Sequence, residues 1–283
     1  LRTLAVAGQA SAQTSVGGSL VANNLIGSTE ATIDQGSDIV SEGLRVRARD
    51  GVDDLSGIWS LSGQFGGGGS NAVGGAFAVN TIARAQTAAI HDAELDVDGD
   101  VGVISRGDAN LRTGAVAGAA AKQVAVSGSL TINTITVDET ARITDATVDA
   151  DRVAVRSTGG RSVWSLPGSF AGSGSTAGGF AGAVNTVEGT RRARIEDSTV
   201  ENADADGDRA DDVIVATGGR EDSEQEIVSA AVAGAASGST SVGGALTVNT
   251  IVTDQKARLV DTTLSADALD VRADQGESDI TSL

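Results

Sequence analysis

The chain has 283 residues and a formal net charge of −18, with 38 glycines, one proline and no cysteine, methionine or tyrosine. So acidic a surface lacks the basic face that a nucleic-acid partner needs. The missing cysteines exclude a disulfide, a thiolate metal site and a thiol nucleophile.

Forty per cent of the residues are hydrophobic, mostly Ala and Val. Side chains this small suit closely packed backbones better than a globule built on aromatics. No run of 18 apolar residues occurs, so no membrane insertion is expected. The start at Leu1 rather than Met suggests a processed product or a fragment.

In chain order the sequence reads as one array of five repeats. Unit one (1–53) carries "LAVAGQASAQ" and then "SLVANNLIGSTEATI" around Asn23. Unit two (54–109) carries "IWSLSGQFGGGGS" and "GGAFAVNTIARAQTAAI" around Asn80, with strands expected at 59–65, 71–79, 80–90 and 100–105. Unit three (110–161) returns to "GAVAGAAAKQ", with Asn133 in "SLTINTITVDETARI". Unit four (162–221) repeats the second flavour as "VWSLPGSFAGSGS", with Asn185 in "GAVNTVEGTRRARI". Unit five (222–283) repeats the first as "AAVAGAASGS", with Asn249 in "ALTVNTIVTDQKARL". The closing "DITSL" aligns with "SVWSL" and reads as a sixth unit beginning, so a longer array is expected.

The five asparagines are 57, 53, 52 and 64 residues apart, and an aliphatic residue follows each by ten positions. The units align without a gap from 21 residues before the asparagine to ten after it. All six aromatic residues (Trp59, Phe65, Phe77, Trp164, Phe170 and Phe180) fall in units two and four. Gly75 and Phe77 align with Phe180 and Gly182, a large-for-small exchange that predicts an interior packed to fixed volume. By the same reasoning Trp59 and Trp164 are expected to point inward.

Short alternating strands repeated with an acidic turn predict an all-β parallel solenoid, built from five repeats of about 52–64 residues in alternating flavours. One wide, flattened coil per unit and two ordinary coils both remain open. Apolar residues alternate in one phase before each asparagine (Val124, Val126, Leu130, Ile132) and in the other after it (Ile135, Val137). A strand has period two, so a bend or bulge is expected there. Asparagine tolerates left-handed backbone angles, which predicts Asn23, Asn80, Asn133, Asn185 and Asn249 as structural corners hydrogen-bonded in a ladder.

The acidic turns are the candidate metal site. "DADGDRADD" supplies Asp204, Asp206, Asp208, Asp211 and Asp212, and "DVDGD" supplies Asp96, Asp98 and Asp100. Calcium takes six to eight oxygens, and alternating aspartates around a glycine supply several. The spacing is not that of an EF-hand, and a solvated Asp/Gly turn accounts for the same residues. The single histidine, His91, has no second His or Cys to anchor zinc, and no nucleophile elbow accompanies it, so no enzyme is expected. "GGGGS" at 66–70 lacks the Lys-Ser/Thr of a phosphate loop.

The block "AVAGAASGSTSVGGALTVNTIVTDQKARLVDTTLSADALDVRA" (231–273) resembles the repeats of very large bacterial filamentous adhesins. These are the leukotoxin-type adhesins and, more loosely, filamentous-haemagglutinin-like secreted proteins. The resemblance covers essentially the whole chain. It implies an extracellular or cell-surface β-solenoid stalk or fibre, with a host or neighbouring-cell surface, matrix or glycan as expected partner; self-association into fibres stays open. No functional residues carry over from the family. The alternative from another class is a carbohydrate-binding or carbohydrate-active β-solenoid.

Overall fold

The computed structural model describes residues 1–50, 57–201, 210–218 and 224–283, and the described residues form strands and turns without a helix. Each repeat is one wide coil, and corresponding strands of successive coils pair in parallel to build three sheets. The protein is a parallel β-solenoid.

The first sheet stacks Arg2–Ser11, Gly57–Gly68, Ala109–Ala121, Arg161–Ser173 and the pair Gln225–Ser229 and Val232–Ser237. Ser278–Ser282 adds a sixth layer to it, with Ile280 beside Ile227. The second sheet stacks the long strands Thr14–Ile33, Asn71–His91, Val124–Thr144, Thr176–Glu196 and Thr240–Val260. The third stacks shorter segments, among them Leu44–Asp50, Ala93–Gly107, Thr147–Thr158, Ala210–Thr217 and Ala266–Ala273.

A 21-residue strand of the second sheet is about 70 Å long, roughly the combined length of a first-sheet and a third-sheet strand. The coil is accordingly flattened. The second sheet is one layer, and the first and third sheets lie end to end as the other. Ile90, Ile143 and Ile195 of the second sheet bury against Leu95, Val103, Val148, Val155 and Val213 of the third. Ile82, Ile135 and Val187 bury against Ile58, Leu111, Val163 and Ile227 of the first. Towards the turn joining the first and second sheets the interior narrows to alanine: Ala72, Ala125 and Ala177 meet Ala119 and Ala171. Small residues there let the two layers approach closely, which explains an apolar composition dominated by Ala.

The expected bend between 132 and 133 is absent. Val124–Thr144 is one strand, and its inward face runs without a phase change through Ala125, Ser127, Ser129, Thr131, Asn133, Ile135, Val137, Glu139, Ala141 and Ile143. Period two is obeyed throughout. What changes at the asparagine is the face carrying the large apolar residues, which point outward before it (Val126, Leu130, Ile132) and inward after it.

The asparagines are thus mid-strand residues rather than corners, and none of the five has a positive φ. The left-handed residue of each coil lies twelve positions later, at Gln35, Asp92, Asp145, Asp197 and Asp261, with φ between 47° and 64°. These residues turn the chain from the second sheet into the third. The backbone ladder continues through the corner, since Asp92 N–H donates to Thr144 O and Asp145 N–H to Glu196 O. Aspartate suits this position because its short polar side chain tolerates the left-handed region.

The aromatic side chains also lie opposite to expectation. Trp59 and Trp164 are 45% and 42% exposed, and Phe65, Phe77, Phe170 and Phe180 are exposed as well. The large-for-small exchange of Phe77 and Gly182 takes place on the outer face, across Leu130. The interior has no room for rings, because its layers are spaced by Ala and Ser.

Candidate functional site: a polar spine beneath an apolar outer face

Two features lie beyond what the backbone requires: a buried polar spine and an uncharged outer face. The spine begins with the asparagines. Asn23 Nδ2 donates to Asn80 Oδ1 at 2.8 Å, Asn80 to Asn133 at 3.0 Å, Asn133 to Asn185 at 2.7 Å and Asn185 to Asn249 at 2.7 Å. Hydroxyls of the facing first sheet complete the carboxamides. Thr3 donates to Asn23 Oδ1, and Thr113 donates to Asn133 Oδ1 while accepting from Asn80 Nδ2. Asn249 Nδ2 donates to Ser229 and Ser282. These partners offset the cost of burying the carboxamides.

A second polar layer crosses the interior where the third sheet hands over to the first. Gln86, Glu139, Arg191 and Gln255 share one column of the second sheet. Arg161 opens a first-sheet strand opposite them. The Glu139, Arg161 and Arg191 side chains are fully buried. Arg161 Nη2 donates to Glu139 Oε2 at 2.8 Å and to Val137 O at 2.7 Å. Arg191 Nε lies 3.5 Å from the same carboxylate oxygen, and its Nη2 donates to Gly159 O. Glycines make the room, since a Cβ on Gly159 would meet Glu139 Oε1 at 2.7 Å and one on Gly107 would meet Gln86 Oε1 at 2.4 Å.

Burial pushes the Glu139 carboxyl up to about 7 against the pull of Arg161 and Arg191. It lowers the Arg191 guanidinium to about 10, with Glu139 opposing. This layer ties the three sheets together, since Arg161 of the first sheet and the Ser157 hydroxyl of the third both donate to Glu139 of the second. It was missed in the sequence, although continuing the inward phase from Asn133 through Ile135 and Val137 arrives at Glu139.

The acidic turns divide. Asp204, Asp206 and Asp208 lie outside the described residues, as does the side chain of Asp211. Asp96, Asp98 and Asp100 alternate outward on one exposed edge of a strand, and the structure does not bring them together. Among the described residues no group of three or more His, Asp or Glu converges as a metal site. Arg152 stands in register between Asp100 and Asp212, with its Nη2 3.3 Å from Asp212 Oδ2. At that level a guanidinium occupies the position between two carboxylate-bearing strands. His91 sits at the surface, with Nδ1 3.2 Å from Thr144 Oγ1 and 3.4 Å from Asp145 Oδ2.

The outer face of the first sheet is apolar across all five coils. Its columns are Leu4–Leu61–Gly114–Leu166, Val6–Gly63–Val116–Gly168–Val232 and Gly8–Phe65–Gly118–Phe170–Gly234. At one margin Arg2, Trp59, Arg112 and Trp164 form a further column in which guanidinium and indole alternate. Phe65 and Phe170 are each 56% exposed and flank a groove floored by Gly118, Ala119 and Ala120. A Cβ on Gly118 would meet Phe65 Cδ1 at 2.8 Å, so each phenyl lies against the glycine of the next coil.

This geometry places the chain in the class of parallel β-solenoid repeat proteins, with a spine of stacked carboxamides. No family model matches the chain, and neither the curated proteins nor the solved structures include a significant match.

Proposed function

We propose that the chain is a structural repeat segment of a secreted or cell-surface filamentous adhesin or extracellular fibre, serving as stalk or scaffold for adhesion to a host or neighbouring-cell surface. One observation carries the reading. Backbone pairing and the asparagine ladder run along the axis from coil to coil, so each coil is joined to the next in line and the array has the form of a rod segment. Stability in such an array is a sum over neighbouring coils, which suits a spacer of adjustable length. The resemblance of 231–273 to filamentous-adhesin repeats and the acidic surface support an extracellular setting. Antibodies raised against the chain should label intact, unpermeabilised cells of its source; labelling only after lysis would sink the proposal.

A second reading, a carbohydrate-binding solenoid, has one observation in its favour: the exposed Trp59 and Trp164 bracketing Arg112. Amphipathic aromatic faces beside donors suit a sugar. Glycan-array binding lost in Trp164→Ala would favour it over the stalk.

A further inference from the structure

The outer face of the first sheet has a relief that matches itself. Take the line along the solenoid axis between the Val6 column and the Gly8 column. In every coil one of the two residues flanking that line is glycine and the other is large: Val6 and Gly8, Gly63 and Phe65, Val116 and Gly118, Gly168 and Phe170, Val232 and Gly234. The next positions out also set large against small in the first, second and fourth coils, where Leu4 is matched by Ala10, Leu61 by Gly67 and Leu166 by Gly172. A twofold rotation about a parallel line just above the face exchanges the two flanks within each coil. It sets the large residue of one copy opposite the small residue of the other, at five successive levels.

We infer that this face docks a second copy of the chain, face to face, with the two solenoid axes parallel. The interface is isologous, with Phe65 against Gly63 of the second copy and the converse, as a closed twofold pair requires.

Area and charge select this occupant. From Trp59 to Gly67 the face spans about 27 Å along the strands and, over five coils, about 24 Å along the axis. That is roughly 650 Å² of flat surface per copy before side-chain relief is counted, close to the ~800 Å² per partner of a standard interface. The face carries Arg2 and Arg112 at one margin and Lys122 at the other, with no carboxylate in the columns between, in a chain of net charge −18. Two copies can therefore approach here without setting acid against acid, whereas exposed carboxylates such as Asp96 and Asp98 line the third sheet. Solvent-exposed Leu4, Val6, Phe65, Leu166, Phe170 and Val232 lose their water in the pairing. The inference does not depend on the adhesin reading, because it concerns only how copies associate.

The test uses the full 283-residue chain. Sedimentation equilibrium in the micromolar range is expected to give twice the chain mass, and Phe65→Asp/Phe170→Asp to give the chain mass with an unchanged β circular-dichroism spectrum. Phe77→Asp/Phe180→Asp, on the outer face of the second sheet, should leave the dimer intact. The arrangement is read by Leu4→Cys/Ala10→Cys in this cysteine-free chain. These positions are about 20 Å apart along one strand, too far to bridge within a copy, but face each other across the twofold. Oxidation should give a covalent dimer with the double variant and none with either single variant. A monomeric wild type, dissociation by the second-sheet pair instead of the first, or no cross-link in the double variant would each overturn the inference.

Discussion

Asn133 Nδ2 lies 2.7 Å from Asn185 Oδ1, and the two residues are also backbone partners in adjacent strands. One residue thus binds its neighbouring coil twice, through the main chain and through the carboxamide. Asn133 Oδ1 meanwhile accepts from Asn80 and Thr113.

Removing the middle of that column should be felt on both sides. Asn133→Ala leaves a proton of Asn80, the hydroxyl proton of Thr113 and Asn185 Oδ1 without partners in a dry interior. The expected loss is on the order of 3 kcal/mol in chemical denaturation, since each buried orphan costs about 1–3 kcal/mol. Asn23→Ala, at the first coil and less buried, should cost clearly less. Equal losses at the two positions would mean that the column is not cooperative.

The corners are tested by a pair of substitutions at one position. Asp197 has φ of 50°, where glycine is unstrained and a β-branched residue is not. Asp197→Gly is expected to leave the melting temperature nearly unchanged. Asp197→Val should lower stability by about 1–2 kcal/mol. A tolerated valine would contradict the left-handed corner.

Glu139 makes stability depend on pH in an unusual direction. Burial raises its folded pKa to about 7, from the 4.5 of an exposed glutamic acid. The folded state therefore holds the proton more tightly than the unfolded state between those values. The contribution is fully present below pH 4.5 and is lost as pH rises to 7. The melting temperature of the wild type relative to Glu139→Gln should fall across that window and level off above it. A difference that grew with pH would mean that Arg161 and Arg191 outweigh burial.

Tryptophan fluorescence reports the outer face. With Trp59 and Trp164 over 40% exposed in the single chain, both indoles should be quenched by iodide in the native state of the Phe65→Asp/Phe170→Asp variant. Arg112 between them should enhance the effect by drawing the anion in. Native fluorescence that resisted iodide would place the indoles inside.

The repeat, its length and its register were legible because they reside in residue identity. The ungapped alignment that pairs Arg2, Trp59, Arg112, Trp164 and Val228 is the same register that the backbone ladders adopt. Inside and outside were not legible in the half of the coil that runs from Trp59 to Val79. There the usual rule is inverted, with Ala, Ser and Gln64 inward and Trp, Leu, Val and Phe outward. Hydrophobic alternation fixes the period of a strand but takes its inner face on trust. The same inversion made the asparagines look like corners, while the true corner, Asp92 and its equivalents, was hidden among ordinary surface aspartates. Glu139 was overlooked because charge suggests exposure, yet its place in the inward phase was already determined by Ile135 and Val137.

The carboxamides of Asn23, Asn80, Asn133, Asn185 and Asn249 all point the same way, each offering its nitrogen to the following coil and its oxygen to the preceding one. Any coil therefore presents the same socket above and the same plug below, and the asparagine column taken alone would tolerate the insertion or loss of a single coil. The outer face would not. Deleting the third coil would bring Phe65 directly beside Phe170, where each ring now rests against a glycine. On this outer face, duplication and deletion keep each ring against a glycine only in steps of two coils, which makes the alternating pair its hereditary unit.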